Sequence, residues 1–303
     1  MSDVVIGLVG CGRWGKLVLR DLIACGARVH VACRNPAHRG IAEETGAASI
    51  VDHWQDLPEV DGYVVVTPTK THSEIVLALM PFGKPIFVEK PMTADVAGAR
   101  KIREADTGKV FVMDKWRYHS GVEAMRAEIA AGTIGTLLGL RFQRWSSGHS
   151  YADVSPFWIL APHDLSIADH ILGTVPPLDS AEAIVAAQPD LGCTAVLKTE
   201  GGPTVTLDIG VCSAEHLRRV TAIGEQGILE LRGGYDTSLF VRRNPVAAPG
   251  GDVETIAFAD TMPLLTEIQG FVDHIKGGPP PLAGAEKGCI IVERLAEIDA
   301  MVG

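Results

Sequence analysis

Val4-Val5-Ile6-Gly7-Leu8-Val9-Gly10-Cys11-Gly12-Arg13-Trp14-Gly15 decides the fold of this chain. Its first half is a continuous apolar, β-rich run, which reads as a strand covered on both faces. Its second half is G-x-G-x-x-G, placed directly after that strand and at the start of a helical pattern. There the first glycine permits a tight turn and the second lets the backbone approach a pyrophosphate. The third lets helix and strand pack closely, while the helix N–H groups face the phosphates. Gly10, Gly12, Arg13, Trp14 and Gly15 are therefore expected to bind a dinucleotide.

Outward from that turn the same pattern repeats. Strands are expected at Val4–Val9, Arg28–Cys33, Gly62–Thr67, Pro85–Glu89 and Lys109–Asp114, with a weaker one at Ala48–Val51. Helices fall between them near Arg13–Cys25, Pro36–Gly46, Thr71–Phe82 and Ala94–Asp106. Asn35 before Pro36 and Thr93 before Ala94 read as helix starts, and Gly26, Gly46, Gly83 and Gly108 as helix ends. Strand-helix-strand repetition defines an α/β fold with a parallel, doubly wound Rossmann sheet.

The pattern changes after Asp114. A helix near Gly121–Ala131 precedes a long strand, Leu137–Trp145, and a helix follows from about His163 to Leu172. Six further strand-like runs between Ala181 and Arg242 are separated by turn residues such as Glu200-Gly201-Gly202-Pro203. They predict a large open, mainly antiparallel sheet. Two helices, near Pro263–Lys276 and Gly284–Met301, close the chain. The expected division is a dinucleotide-binding domain over residues 1–117 and an α+β domain over 118–303.

Composition narrows the partners. The chain has 303 residues with 27 Lys and Arg against 37 Asp and Glu, a net charge of −10 that repels phosphate backbones and anionic membranes. A small-molecule partner, with no nucleic acid and no membrane, is the expectation. No apolar run is long enough to cross a bilayer, and Met1–Ile6 lacks the basic start of a signal peptide, which points to the cytoplasm. The six cysteines are scattered without metal-ligand or disulfide spacing, so no metal is expected.

Three further segments carry chemistry. The second strand ends in Cys33-Arg34-Asn35, where an acid would bind the ribose 2′-hydroxyl of NAD. Arg34 is placed to grip a 2′-phosphate, with Arg39 as a helper, so NADP(H) is expected over NAD(H); the competing reading is two solvated arginines. Thr67-Pro68-Thr69-Lys70-Thr71-His72 and Glu89-Lys90-Pro91 lie at carboxyl ends of strands, where ligands of doubly wound sheets bind. Thr67, Pro68, His72, Glu89 and Lys90 are thus expected to face the cofactor. Partial burial there would lower a lysine's pKa toward proton-transfer chemistry.

With these segments in place, the chain resembles the Gfo/Idh/MocA oxidoreductases, named for glucose–fructose oxidoreductase and inositol dehydrogenase. The likeness runs through Gly10-Cys11-Gly12, Thr67-Pro68 with His72, Glu89-Lys90-Pro91, Arg117-Tyr118, Gly132-Thr133-Ile134-Gly135 and Ala161-Pro162-His163-Asp164-Leu165-Ser166. The resemblance implies hydride transfer between a nicotinamide and a sugar, polyol or related carbonyl compound. It also implies an open sheet used for substrate binding and for pairing subunits into a homodimer or homotetramer. Carried over by position, Lys90 is the catalytic lysine and His163 the active-site histidine. Lys90 would stabilise charge on the reacting oxygen while His163 acts as general base or acid. A place at a helix amino terminus would keep His163 neutral.

One departure from the family pattern stands out. Where many members carry an aspartate four residues before this histidine, the chain has Ile159. Asp164 adjoins His163 but points about 100° around a helix from it. Its competing role is an acid favouring the helix amino terminus. Arg117, Trp158 and Asp164 are the expected substrate-side residues, ahead of Trp116, Tyr118, Trp145, His149 and Tyr151. His170 reads as a structural histidine. The missing acid keeps open an imine or conjugated double-bond reductase, and a nucleotide-binding regulator without turnover is the reading outside enzymology.

Overall fold

The computed structural model describes residues 4–148, 154–243, 252–260 and 262–303. The chain opens with β1 (Val5–Val9), α1 (Gly15–Ala24), β2 (Arg28–Ala32), α2 (Pro36–Thr45), β3 (Ser49–Val51), β4 (Gly62–Val65), α3 (His72–Leu79), β5 (Ile86–Glu89), α4 (Val96–Ala105) and β6 (Val110–Met113). The six strands form one parallel sheet in the order β3-β2-β1-β4-β5-β6. Every expected strand is present, and parallel pairing puts all their carboxyl ends on one edge. Asn35 caps α2 by accepting from the Ala37 amide at 3.0 Å, as the Asn-Pro pair predicts. Thr93 is not the cap of α4; Asp95 is, its carboxylate accepting from Gly98 at 2.7 Å. Thr93 instead donates to the Asp95 carbonyl.

The second sheet is built from β7 (Leu137–Ser147), β8 (Leu178–Ala183), β9 (Gly192–Leu197), β10 (Thr204–Gly210), β11 (Cys212–Gly224), β12 (Gly227–Leu231), β13 (Ser238–Arg243) and β14 (Glu254–Ala257). Its order is β14-β13-β12-β11-β7-β10-β9-β8, antiparallel throughout except where β10 lies parallel to β7. That parallel pair sits in the middle of what reads as a simple meander. Helices α5 (Ser120–Ala130) and α6 (Pro156–Leu172) cover one face. Against them are buried Leu140, Phe142, Val220, Ala222, Val205, Leu207, Leu229 and Val241, the inward members of alternating strands. The opposite face is polar along its centre: Trp145 Nε1 donates to Asp208 Oδ1 at 2.9 Å, and Arg141 is exposed between them and the sheet end.

The last two helices, α7 (Pro263–Ile275) and α8 (Ala285–Val302), correct the expected domain division. The chain separates into Met1–Lys115 with Met262–Val292, and Trp116–Thr261 with Glu293–Gly303, rather than at residue 117 alone. The reason lies in α7's apolar stripe. Ile268, Phe271 and Val272 are buried in the same core as Leu8, Val18, Leu22 and Phe87, and the Phe271 ring stacks on Phe87 with centroids 4.8 Å apart. Gly62 accommodates the helix, since a Cβ there would lie 2.7 Å from Ile275. Helix α7 therefore returns from beyond the second sheet to complete the first sheet's core. No helix among the described residues is long and apolar enough to cross a membrane.

Candidate active site

The glycine turn follows β1 as expected, and each glycine has a different reason to be there. Gly10 has φ +97°, and a Cβ on it would lie 2.8 Å from the Val66 carbonyl. Gly15 opens α1 where a Cβ would lie 2.8 Å from the Gly10 carbonyl, so strand and helix pack closely. Gly12 is different: the nearest atom to an added Cβ is His38 Cε1, 3.7 Å away. Packing leaves the space over Gly12 unfilled, which suits the close backbone approach of a dinucleotide's pyrophosphate at a helix start. Arg13 is exposed and Trp14 half-buried in the same turn. The Lys115 ammonium sits 5.1 Å from the centre of the Trp14 ring, a cation–π contact the sequence reading did not anticipate.

Arg34 is exposed just past β2 and pairs with no carboxylate among the described residues. Arg39 is committed elsewhere: its Nη1 donates to the Cys33 carbonyl at 3.1 Å and to the Asp52 carboxylate. The helper role given to Arg39 thus goes to bracing the loop after β2, leaving Arg34 as the cation that faces solvent.

At the ends of β4 and β5, His72 is buried rather than facing a cofactor. Its Nε2 lies 2.8 Å from the Thr67 carbonyl and its Nδ1 3.0 Å from the Pro91 carbonyl. It therefore ties the loop after β4 to the residue following Lys90, while Thr71 Oγ1 braces that loop from Thr67 Oγ1 and the Pro68 carbonyl. Lys90 is half-buried, and the Lys90–Pro91 peptide is cis.

Behind Lys90 lies a set of acids that the sequence did not bring together. Glu89 Oε2 and Glu267 Oε2 are buried without a hydrogen-bond partner, and Glu267 is 1% exposed. Burial is the main cause that pushes the Glu89 carboxyl up to about 7; nearby Asp114 raises it further, against Lys90 and Lys115. Glu267 is pushed well above the usual carboxylate range by burial, then by Asp114 and Glu89. Glu267 comes from α7, a helix whose place under β6 no local pattern discloses. A raised folded-state pKa favours the protonated folded form, so this stabilisation is complete below pH about 4.5 and is lost as pH rises through about 7. For Glu89 alone the loss is on the order of 3 kcal/mol. Glu89→Gln is expected to flatten the fall in melting temperature between pH 5 and pH 8. An unchanged slope in thermal melts would remove Glu89 as its source.

The second unit presents its own cluster on the helix-covered face. Helix α6 starts at Pro156, seven residues before the expected His163, with Ser155 preceding it. His163 therefore lies in the middle of the helix, and the expected terminal position that would have kept it neutral does not hold. The stripe Trp158, Ala161, Leu165, Ala168, all buried, carries the helix back through Pro162 to Pro156. That stripe also places Trp158, expected beside the substrate, in the packed interior.

Asp164 and Arg117 are likewise interior. Arg144 on β7 grips Asp164 with Nε at 2.9 Å from both carboxylate oxygens and Nη2 at 2.6 Å from Oδ1. Arg117 Nη2 donates to Asp169 Oδ2 at 2.7 Å, and both side chains are almost wholly buried. Neither Arg117 nor Asp164 keeps its charge for a substrate. Trp116 links the cluster: the Arg144 guanidinium lies 4.9 Å from its ring centre, and the His163 ring centre is 6.4 Å away. His163 itself is half-buried on α6 beside Ile159. His170 pairs with Glu123, the structural role expected of it. His149 and Tyr151 lie outside the described residues. Among those described, no cluster of His, Cys, Asp and Glu is suited to hold a metal ion, and the six cysteines are free thiols.

A parallel doubly wound sheet whose glycine turn and Lys90 lie on the same carboxyl edge is the framework of a nucleotide-binding Rossmann domain. The comparisons agree. Residues 4–113 match the family model described as "Oxidoreductase family, NAD-binding Rossmann fold". An inositol 2-dehydrogenase from Ralstonia nicotianae is 28% identical over 297 residues, covering 90% of this chain and 86% of its own. Levoglucosan dehydrogenase, solved with NADH and levoglucosan, shares the fold with a TM-score of 0.85 at 18% identity, covering 99% of this chain and 98% of its own. So does a 3-ketoreductase from Actinomadura kijaniata solved with TDP-benzene and NADP, with a TM-score of 0.85 at 17% identity over 99% and 98%. Residues 4–113 thus carry the NAD-binding Rossmann domain of the Gfo/Idh/MocA oxidoreductases, and the chain is an NAD(P)-dependent oxidoreductase.

Proposed function

We propose that this oxidoreductase uses NADP(H) and moves hydride between the nicotinamide and a secondary alcohol or ketone of a sugar-like small molecule. The observation that carries the cofactor assignment is Arg34, exposed and unpaired among the described residues where an NAD-binding acid would stand. Gly10, Gly12 and Gly15 would hold the pyrophosphate, and the bound cofactor supplies or accepts the hydride. Lys90 would hydrogen-bond the reacting oxygen and stabilise its developing charge, and His163 would take or return the proton. With the Asp164 carboxylate spent on Arg144, α6 offers no acid in the place of Ile159, so proton handling rests on this lysine and histidine. The inositol dehydrogenase relatives support a polyol- or sugar-like substrate. Subunit pairing through the uncovered face of the second sheet into a dimer or tetramer belongs to the same reading, as does a cytoplasmic setting.

Ile159 supports one alternative, reduction of an imine or conjugated double bond, which needs hydride but a different proton donor. Titration with NADPH and NADH, followed by nicotinamide fluorescence, tests the cofactor assignment. NADPH is expected to bind about 10- to 100-fold more tightly, the worth of a charge-assisted contact to the 2′-phosphate, and Arg34→Ala to erase the difference. Equal or tighter binding of NADH by the unaltered protein would remove the preference.

A further inference from the structure

The sheet register places a second arginine beside Arg144. Arg218 on β11 stands directly opposite Arg144 on β7, and paired residues of an antiparallel ladder share a face. That face is the one α6 covers, because Arg144 reaches Asp164 from it. The charges acting on Arg218 are Arg144 and Asp164, and burial together with Arg144 lowers its pKa. Two guanidiniums thus share one carboxylate, and that carboxylate is already held by both nitrogens of Arg144. Arg218 forms no ion pair among the described residues. Its Nη1 is spent on the Trp145 and Leu217 carbonyls, at 2.6 and 2.7 Å, which fixes the plane of the guanidinium. Its Nε and Nη2 make no further hydrogen bond among the described residues. Like charges set side by side in a half-buried place destabilise one another unless an anion completes the set.

We infer that Arg218 binds a carboxylate of the substrate, so that the compound oxidised or reduced is a sugar acid or similar hydroxy acid rather than a neutral polyol. This rests on the oxidoreductase reading above and narrows its substrate class. The geometry fits in three respects. A pinned, planar guanidinium whose Nε and Nη2 donors are free among the described residues matches a carboxylate's two oxygens. Arg144, Arg218 and Asp164 leave one positive charge in excess, which one carboxylate neutralises and a phosphate dianion would overbalance. And Trp116 connects Arg144 to the His163 ring, so the excess charge lies one ring away from the proposed general base. In a chain of net charge −10 such a local reversal also steers an anion toward this place.

The test is a set of matched probes: D-gluconate, D-glucuronate and D-galacturonate, their neutral parents sorbitol, D-glucose and D-galactose, and D-glucose 6-phosphate. Binding is measured by titration calorimetry with and without saturating NADPH. At least one acid is expected to bind at least about 10-fold more tightly than its neutral parent, and to weaken between 50 and 500 mM NaCl where the parent does not. Arg218→Met should abolish that margin, and Arg218→Lys, which keeps the charge and guards against misfolding of the Met variant, should keep part of it. Three results would overturn the proposal: no acid outbinds its parent, Arg218→Met binds the acid as the unaltered protein does, or glucose 6-phosphate outbinds every carboxylate. NADPH titration on the same samples separates the readings. Intact NADPH binding without acid selectivity removes only the carboxylate site, whereas failure to bind NADPH strikes the enzymatic reading while the nucleotide-free arm still decides Arg218.

Discussion

Replacing Lys90 by Ala is expected to lower turnover by about 10²- to 10⁴-fold, the range for loss of a positioned acid–base group. NADPH affinity should stay within a few-fold, because Gly10, Gly12 and Gly15 hold the turn without Lys90. The lysine lies at the carboxyl end of β5, on the edge where the sheet's ligands bind, and it follows a glutamate whose own titration is displaced upward by burial. His72 holds the Pro91 carbonyl just after Lys90 and the Thr67 carbonyl of the loop after β4, which braces the backbone that carries the lysine. Lys90→Arg sharpens the prediction. A guanidinium keeps the charge but cannot give up a proton near neutral pH, so turnover should remain far below normal if proton transfer is the role. Full recovery in Lys90→Arg would confine the lysine to stabilising charge on the reacting oxygen and leave the proton to His163 alone. Turnover of Lys90→Ala within a few-fold of the unaltered enzyme would end the catalytic assignment altogether. Both are read from steady-state rates beside a nucleotide titration.

Asp164→Ala is the second large effect, and it is one of stability. Arg144 and Asp164 are 3% and 2% exposed, and removing the carboxylate leaves a buried guanidinium with Trp116 beneath it and Arg218 beside it. Breaking a buried pair from one side costs about 3–5 kcal/mol. In a protein of this size that corresponds to a drop on the order of 10 °C in melting temperature. Replacing both partners with apolar residues, Arg144→Met with Asp164→Leu, should recover much of the loss, since it is the orphaned charge that destabilises. Urea unfolding of Arg144→Met, Asp164→Leu and the double variant checks this as a thermodynamic cycle. A single variant that unfolds at the same urea concentration as the unaltered protein would show that the pair holds nothing.

These two residues were visible in the sequence to different degrees. Lys90 stands in a short segment at a strand end, behind a glycine turn whose spacing and position are local properties of the chain. Asp164 was legible only as an acid next to a histidine. Its partner is twenty residues away on a strand, and alternation along Leu137–Trp145 marks Arg144 as a charged residue on an otherwise apolar phase without saying what meets it. Arg117 and Trp158 are expected on the substrate side from the sequence. Burial reassigned them, since a side chain's chemistry does not disclose which way the backbone turns it. The start of α6 lies about seven residues before the expected His163 for a related reason, as Pro156 and Pro162 carry the same local signal and only packing of Trp158 and Ala161 separates them.

By itself the sequence determined the parallel sheet, the helices between its strands, the dinucleotide turn and the lysine at its edge. Each of these is written in neighbouring residues through turn chemistry, capping and continuous apolar runs, which act over a few residues and survive any tertiary arrangement. The tertiary structure alone decided that α7 returns to the first core, and that Glu267 joins Glu89 and Asp114 there. It alone set Arg218 against Arg144. Those pairings depend on strand register and on which apolar stripe finds which sheet, choices made by burial over the whole chain and carried by no local pattern.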